Sequence, residues 1–165
     1  ADCFTVSAHL SDEVGEKCAD VYRKIFKRNN VKGAVKPFKG VISTLNTLHG
    51  QGKILAVASS RGHESLDGLV DDFGITNLFT SIIGADDVVN AKPDPEPVNK
   101  ILSSLSILPK DTVVVGDAPY DILMGKNAGA SAIGVTYGNS KREELQEAGA
   151  DFIIESFADL LKLPL

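Results

Sequence analysis

The 165-residue sequence has few cysteines, no excess of basic residues and no long apolar run. With only Cys3 and Cys18, a disulfide framework is not expected, which favours a reducing, cytoplasmic location. A net charge of -5 argues against a nucleic-acid partner, because binding nucleic acid requires lysines and arginines to neutralise phosphates. No apolar run approaches the roughly 18 residues of a membrane helix, and residues 1–30 carry no signal-peptide pattern, so no membrane partner is expected.

Several catalytic motifs are also missing. The sequence contains no Gly-x-Ser-x-Gly, which argues against a serine hydrolase of that type. It contains neither the phosphate-binding Gly-x-x-x-x-Gly-Lys-Ser/Thr loop nor the dinucleotide-binding Gly-x-Gly-x-x-Gly. The three histidines, His9, His49 and His63, show no metal-ligand spacing and are interpreted as surface imidazoles.

From Lys53 onward, short apolar runs alternate with amphipathic segments. Runs such as Val113-Val114-Val115 lack polar alternation, which is typical of strands covered on both faces, and helices between them supply the crossovers of a parallel sheet. The pattern predicts a doubly wound, Rossmann-like α/β fold with helices on both faces of a parallel sheet. The predicted strands are 54–58, 81–83, 112–115, 132–135 and 152–154, and the predicted helices are 11–30, 41–49, 64–73, 98–105, 120–128, 141–148 and 157–161, with a linker over 31–40.

In such a sheet, ligands bind beyond the carboxyl ends of the strands. The run Val-Val-Val-Gly116-Asp117-Ala-Pro-Tyr-Asp121 places two carboxylates at one such end. Close carboxylates repel each other unless a cation neutralises them, and Mg²⁺ characteristically takes one or two carboxylates, waters and a phosphate oxygen. A purely structural interpretation stays open, in which Asp117 caps the following helix and Asp121 complements its dipole.

A second junction is Ala-Lys92-Pro93-Asp-Pro-Glu-Pro. Pro93 disfavours helical backbone at Lys92, and the alternating prolines stiffen the segment up to the helix predicted from Val98. A lysine on a rigid mount could be held against a phosphate, where its ammonium would balance the charge. The alternative is a proline-rich loop with a solvated lysine.

A third junction is Ile54-Leu-Ala-Val-Ala-Ser59-Ser60-Arg61-Gly62, in which two hydroxyls follow a buried strand directly before a predicted helix. A serine hydroxyl together with free backbone N–H groups at a helix start can bind an anion without net charge. The alternative is that Ser59 serves as an ordinary helix N-cap.

These junctions, in the order hydroxyl, lysine and paired aspartates, resemble the second, third and fourth motifs of haloacid-dehalogenase-superfamily hydrolases. The resemblance covers about residues 36–165, and residues 11–35 are similar to the last part of a helical cap. It is closest to the phosphoglycolate-phosphatase-like branch through Lys36-Pro-Phe-Lys-Gly-Val41, Lys92-Pro-Asp-Pro-Glu-Pro97, Gly116-Asp-Ala-Pro-Tyr-Asp-Ile122 and Ala128-Gly129.

The resemblance implies a Mg²⁺-dependent phosphatase acting on a small phosphorylated metabolite. It implies that Ser59 and Lys92 are catalytic, with Ser59 hydrogen-bonding the transferring phosphoryl group and Lys92 balancing its charge. Ser60 joins them in the phosphate-binding site. Asp117 would ligate Mg²⁺, and Asp121 would support the metal directly or through water.

The sequence departs from this family at one motif. The family's Asp-x-Asp-Gly-Thr, whose first aspartate attacks phosphorus and whose second acts as acid and base, is not found. We therefore expect residues 1–35 to be a cap remnant and linker, and residues 36–165 to be a core without its first, mid-sheet strand. The chain alone would then be inactive, because it lacks the nucleophile. The vacant strand position implies either that the chain is part of a longer protein or that another segment fills it, for which Cys3–Val6 is the candidate.

Two other functions stay open. The chain could be a phosphate- or metal-binding module without chemistry, as a degenerate relative or partner subunit. It could equally be a doubly wound domain whose acidic junction binds a protein. Within the phosphatase interpretation, phosphoglycolate, a sugar phosphate and a nucleotide are all candidate substrates, because leaving-group recognition in this family comes largely from the cap.

Overall fold

The structure is a computed structural model that describes residues 9–29, 33 and 35–164. The chain divides into two compact units between Lys36 and Pro37. In the first unit, helix α1 (Asp12–Asn29) matches the helix predicted over 11–30. Val14, Val21, Tyr22 and Ile25 of this helix are exposed, whereas Ala19 is buried. The filler suggested at Cys3–Val6 lies outside the described residues.

The second unit alternates helices and parallel strands, which confirms the predicted α/β fold class. Its helices are α2 (Val41–Gly50), α3 (His63–Asp72), α4 (Glu96–Leu105), α5 (Pro119–Asn127) and α6 (Arg142–Glu147). Its strands are β1 (Leu55–Ala58), β2 (Phe79–Ile83), β3 (Val113–Gly116), β4 (Ser131–Val135) and β5 (Phe152–Ile154). Short 3₁₀ helices lie at Thr76–Leu78, Ala85–Asp87, Pro109–Asp111 and Phe157–Lys162.

Two predicted elements need correction. Helix α4 begins at Glu96 rather than at Val98, because Pro97 lies in its first turn, where the missing proline N–H costs no helical hydrogen bond. The segment predicted as a helix over 157–161 is a 3₁₀ helix. The side chain of Ser156 accepts a hydrogen bond from the N–H of Ala158 at its start.

The strands form two sheets instead of one continuous sheet. In the described part of the chain, β1 pairs only with β2, and β3, β4 and β5 pair in that order, all in parallel. Strand β4 is central, and its last four residues are buried. Strands β1 and β3 each have one edge with no strand beside it among the described residues. We call these two edges the open edges.

Apolar clusters connect the two sheets on both faces. On one face, Leu48 of α2 packs in a cluster that includes Leu55 of β1 and Val115 of β3. On the other face, Val98 and Leu102 of α4 pack with Met124 of α5, and this cluster includes Ala58 of β1 and Val114 of β3. The two open edges therefore lie between shared helical layers.

Candidate active site at the carboxyl ends of the strands

Lys92 links the two sheets at the carboxyl ends of β1 and β3. Its Nζ donates a hydrogen bond of 2.8 Å to Oδ1 of Asp121, in the first turn of α5, and one of 2.9 Å to the carbonyl oxygen of Ala58, the last residue of β1. The Lys92 and Asp121 side chains are 13% and 9% exposed. The lysine ammonium is therefore largely shielded from solvent and held by two acceptors, and the interpretation of a solvated lysine is wrong.

The loop that carries Lys92 is held at both ends. The Lys92–Pro93 peptide bond is cis. The Nδ2 of Asn127, the last residue of α5, donates to the carbonyl of Pro93 at 3.0 Å. Oδ1 of Asp94 accepts from the backbone N–H of Glu96 at 2.9 Å, which joins the loop to the start of α4.

Glu96 fixes the segment just before Lys92. Its carboxylate accepts backbone hydrogen bonds from Val89 at 3.0 Å and Asn90 at 2.7 Å, and it pairs with Lys100 at 3.1 Å. These interactions, the two backbone bonds first, lower the pKa of Glu96 to about 2. The carboxylate is thus ionised throughout the neutral range and acts as a clamp on the loop.

Both oxygens of Asp121 already have donors. Oδ1 accepts from Lys92, and Oδ2 accepts from the backbone N–H of Ala118 at 3.2 Å. The alternative interpretation expected Asp117 to cap helix α5, but the side chain that caps it is that of Asp121. Gly116 is required by this packing, since a Cβ at Gly116 would lie 2.7 Å from the Asp121 Cγ.

Asp117 is oriented by the loop that follows β4. Its Oδ2 accepts hydrogen bonds from the backbone N–H of Asn139 at 3.0 Å and from the Asn139 Nδ2 at 3.1 Å. Gly138 allows this approach, because a Cβ there would lie 2.6 Å from the Asp117 Cγ. Oδ1 of Asp117 receives no hydrogen bond from the described residues, so it is the oxygen left for a ligand.

Two tyrosines lie close enough to these carboxylates to respond to their charge. Burial, and then Asp117, raise the pKa of Tyr137 to about 12. Burial, Asp121 and Asp117 also raise the pKa of Tyr120. The Tyr137 ring packs against Phe38 with 4.9 Å between ring centroids. Both phenols therefore stay protonated beside the acidic pair.

The Ser59 junction differs from the prediction in one respect. Helix α3 begins at His63 after Gly62, so Ser59 is not its N-cap. The Ser59 Oγ instead accepts from the backbone N–H of Arg61 at 3.1 Å. The N–H of His63 donates to Oδ1 of Asp86 at 2.6 Å. These two N–H groups already have acceptors and are not available to an anion, whereas the hydroxyls of Ser59 and of the exposed Ser60 can donate to one.

His63 is the clearest functional candidate that sequence reasoning left aside. Its ring Nδ1 contacts Oδ2 of Asp87 at 2.5 Å, and its Nε2 lies 3.3 Å from Asp67. The hydrogen bond to Asp87 is the main cause of a raised pKa for His63 and of a lowered pKa for Asp87. The carbonyl of Arg61 also accepts from the N–H of Ala85 at 2.7 Å. Together these bonds tie the Ser59 loop to the loop after β2.

The structure thus brings Lys92, Asp121 and the end of β1 into direct contact. Ser59 directly follows β1, and Asp117 directly follows β3, so both lie at the same carboxyl-end margin of the fold. The supporting roles of Glu96, Asn139 and His63 were missed. The only sequence signal for His63 and Asn139 was that each is a polar residue shortly after a strand, and Glu96 stood in the proline-rich run after Lys92; many residues share such features.

The residues at this margin fit part of a magnesium site. Among the described residues, no group of three or more His, Cys, Asp or Glu could hold a metal ion. Mg²⁺ needs only one or two protein carboxylates, because waters and phosphate oxygens complete its six ligands. Asp117 has a free oxygen for direct coordination, while Asp121, with both oxygens engaged, is suited to a water-mediated role.

Comparison with known proteins assigns the family. The profile of the haloacid dehalogenase-like hydrolases matches residues 4–135. The chain is 35% identical over 154 residues to pyrophosphatase PpaX of Halalkalibacterium halodurans, covering 93% of this chain and 71% of that protein. It is 29% identical over 162 residues to a phosphoglycolate phosphatase of Vibrio vulnificus, covering 98% of this chain and 71% of that protein. The chain belongs to the haloacid dehalogenase-like hydrolase family.

Solved structures agree with this assignment. A predicted phosphoglycolate phosphatase from Haemophilus somnus superposes with a TM-score of 0.83 at 27% identity, over 93% of this chain and 68% of that one. A haloacid dehalogenase-like hydrolase from Bacteroides fragilis gives a TM-score of 0.88 at 26% identity, over 95% of this chain and 75% of that one.

Within the described residues, no helix has the length and apolarity to cross a membrane.

Proposed function

We propose that this chain supplies the phosphate- and magnesium-binding part of a phosphate-monoester hydrolase, and that these 165 residues alone are inactive or nearly so. The observation that carries the proposal is the Lys92 ammonium, held between the Ala58 carbonyl and the Asp121 carboxylate at the end of two parallel strands. A largely shielded cation fixed against the Asp121 carboxylate suits a site that handles both a phosphoryl group and a metal ion.

Each residue has a distinct role in this proposal. The hydroxyls of Ser59 and Ser60 would donate to phosphoryl oxygens, and the Lys92 ammonium would offset their negative charge. Asp117 would coordinate Mg²⁺ through Oδ1 while Asn139 holds Oδ2. Asp121 would orient Lys92 and a metal-bound water. Bound Mg²⁺ would neutralise phosphoryl charge and help place the phosphorus for attack.

The attacking group is not provided by these residues. The 165 residues contain no Asp-x-Asp-Gly-Thr, and Asp117 and Asp121 both have other engagements. Small phosphorylated metabolites are the proposed substrate class, and the pyrophosphatase and phosphoglycolate phosphatase relatives support it. The cytoplasmic location stays a prediction, based on the two cysteines.

Metal binding tests the site directly. Mn²⁺, a spectroscopic substitute for Mg²⁺, should bind the chain in a titration followed by electron paramagnetic resonance, and Mg²⁺ should compete for the same site. Asp117→Asn should abolish this binding. Asp111→Asn is the matched control, because Asp111 is an exposed acid at the amino end of the same strand. Equal loss in both variants, or no loss in Asp117→Asn, would contradict the proposal.

Turnover of p-nitrophenyl phosphate with Mg²⁺ tests the second half of the proposal. The chain alone should show no hydrolysis that depends on Asp117. Robust hydrolysis abolished by Asp117→Ala would mean that these residues do contain a nucleophile.

A second candidate function is a phosphate- and metal-binding module without chemistry. The absence of Asp-x-Asp-Gly-Thr from the sequence is the observation that favours it. It predicts Mn²⁺ binding with no turnover of any phosphate monoester.

A further inference from the structure

Phe38 and Tyr137 form an aromatic contact beside the proposed magnesium ligand. Their ring centroids lie 4.9 Å apart with 57° between the ring planes, a tilted arrangement of the kind that aromatic pairs prefer. Tyr137 directly precedes Gly138 and Asn139, the two residues that pack closely against the Asp117 side chain. The ring contact therefore lies next in sequence to the groups that orient this carboxylate.

The loop of residues 137–140 has few other attachments. In the part of the chain that the structure describes, its hydrogen bonds are the two that Asn139 donates to Oδ2 of Asp117. Just before the loop, the N–H of Thr136 donates to the last residue of β5 at 3.1 Å. Between this bond and those of Asn139, the ring of Tyr137 is the side chain that can hold the loop in place.

The Tyr137 ring is connected to helix α2 in two ways. It packs against the apolar cluster that contains Leu48 of this helix. It also contacts Phe38, whose carbonyl accepts a hydrogen bond of 3.2 Å from the N–H of Val41, the first residue of α2. The loop that orients Asp117 is therefore held to α2 through the core and through the turn that begins the helix.

Burial does not explain the position of Phe38. The residue is 59% exposed, so most of its surface gains nothing from removal from water. What its position does provide is the contact with Tyr137. The pKa of Tyr137, raised by burial and then by the charge of Asp117, indicates that the same ring lies near this carboxylate. One aromatic ring thus contacts Phe38 and lies close to Asp117.

We propose that Phe38 and Tyr137 are positioning residues for Asp117. Their ring contact holds the loop of residues 137–140, so that Asn139 fixes Oδ2 of Asp117 and leaves Oδ1 for a cation. Residues that orient a metal ligand change metal affinity although they do not touch the ion. The expected effect on metal binding rests on the function proposed above, in which Asp117 coordinates Mg²⁺.

Variants of Phe38 in the full 165-residue chain test the role of the ring. Phe38→Leu keeps an apolar side chain but removes the ring, so it should weaken Mn²⁺ binding, followed by electron paramagnetic resonance, about three-fold. Phe38→Tyr keeps the ring and should bind Mn²⁺ as the wild type does. Phe152→Leu is the matched control and should leave Mn²⁺ affinity unchanged, because Phe152 is 48% exposed and begins β5, at the amino end of a strand.

Two further measurements show whether the ring contact acts through Asn139. In Asn139→Ala, which already releases Asp117, adding Phe38→Leu should weaken Mn²⁺ binding no further, because both changes remove the same restraint. Without metal, the N–H of Asn139 should exchange with solvent about three-fold faster in Phe38→Leu, since its bond to Asp117 opens more often. The N–H of Ala118, which donates to Asp121 instead, should exchange at an unchanged rate.

The outcomes separate this inference from the proposed function. Loss of Mn²⁺ binding in Asp117→Asn together with wild-type affinity in Phe38→Leu would overturn the positioning role alone, and so would additive effects of Phe38→Leu and Asn139→Ala. If the wild type did not bind Mn²⁺, or Asp117→Asn bound it normally, the proposed metal site would fail. The exchange rate of the Asn139 N–H would then decide the positioning role: a faster rate in Phe38→Leu supports it, and an unchanged rate overturns it.

Discussion

Replacing Lys92 by methionine should lower the free energy of unfolding more than replacing any exposed lysine does. The substitution keeps the approximate length of the side chain but removes its charge. Among the residues that the structure describes, the Asp121 carboxylate, 9% exposed, is then left with only the Ala118 N–H as donor. It also removes the donor to the Ala58 carbonyl. Removing one partner of a buried ion pair typically costs about 3–5 kcal/mol, because the remaining charge is buried without compensation.

This cost is large for a domain whose whole stability is about 5–15 kcal/mol. We expect Lys92→Met to lower the free energy of unfolding by about 3 kcal/mol, the low end of that range, since neither side chain is completely buried. For a chain of this size, this corresponds to a fall in Tm of about 6–12 °C. Urea unfolding followed by circular dichroism measures the free energy, and a thermal scan measures the Tm.

A double-mutant cycle measures the interaction energy between Lys92 and Asp121. Asp121→Asn keeps the shape that Gly116 accommodates, so it removes charge without a steric clash. Lys92→Met and Asp121→Asn together should cost about 1–3 kcal/mol less than the sum of the two single changes, because the double variant leaves no unpaired charge.

The chain contains a matched control. Lys126 pairs with Asp151 at 2.7 Å, but these side chains are 38% and 35% exposed. Solvent screens such a pair, so Lys126→Met should cost no more than about 1 kcal/mol. If Lys92→Met and Lys126→Met lower the free energy of unfolding equally, or if the two changes of the double-mutant cycle are strictly additive, the Lys92–Asp121 pair does not connect the two sheets in the way argued here.

Three further predictions concern the residues that support the site. The pKa of Glu96 is lowered from an ordinary 4.5 to about 2, so its ionised carboxylate stabilises the fold fully above pH 4.5, and this stabilisation is lost as the pH falls toward 2. The difference in free energy of unfolding between wild type and Glu96→Gln, measured by urea unfolding, should therefore shrink between pH 4.5 and pH 2. Because the pKa of His63 is raised, its ion pair with Asp87 stabilises the fold below pH 6.5, and this stabilisation is lost as the pH rises through the folded pKa. NMR titration should show a His63 pKa above 6.5 in the wild type and a lower His63 pKa in Asp87→Asn. An unchanged His63 pKa in this variant would contradict the pairing with Asp87. Asn139→Ala should weaken Mn²⁺ binding about ten-fold by releasing Asp117, without the complete loss expected for Asp117→Asn, and an unaltered affinity would exclude Asn139 from the site.

The strands were predictable because burial on both faces requires uninterrupted apolar runs. Strand β5 was placed at its observed bounds, and the apolar run of β3 was shifted by a single residue because Gly116 continues the strand. The division into two sheets followed from the family resemblance and the missing first motif, not from the local pattern. A strand edge depends on which strand lies beside it, and apolar runs carry no such information.

The site was predictable only in part, for a related reason. Ser59 and Asp117 were singled out because each directly follows an apolar strand, and Lys92 because it directly precedes Pro93. Asn139 contacts Asp117 across 22 positions of sequence and His63 contacts Asp87 across 24, and neither spacing corresponds to a local motif. Their partners are determined by how the loops after β2 and β4 pack, which is a tertiary property.

The contacts of Lys92 explain why the phosphate and metal halves of the proposed site depend on each other. The serines follow β1, in one sheet, and Asp117 follows β3, in the other, and no backbone ladder joins the two sheets in the described residues. The apolar clusters also join the sheets, but apolar attraction is non-directional and selects no particular orientation of the site residues. The hydrogen bonds from the Lys92 ammonium to Ala58 and Asp121 are directional and lie at the site itself. We therefore expect Lys92→Met to weaken the binding of inorganic phosphate and of Mn²⁺ together, whereas Lys126→Met, at a half-exposed pair away from the site, should leave both affinities unchanged.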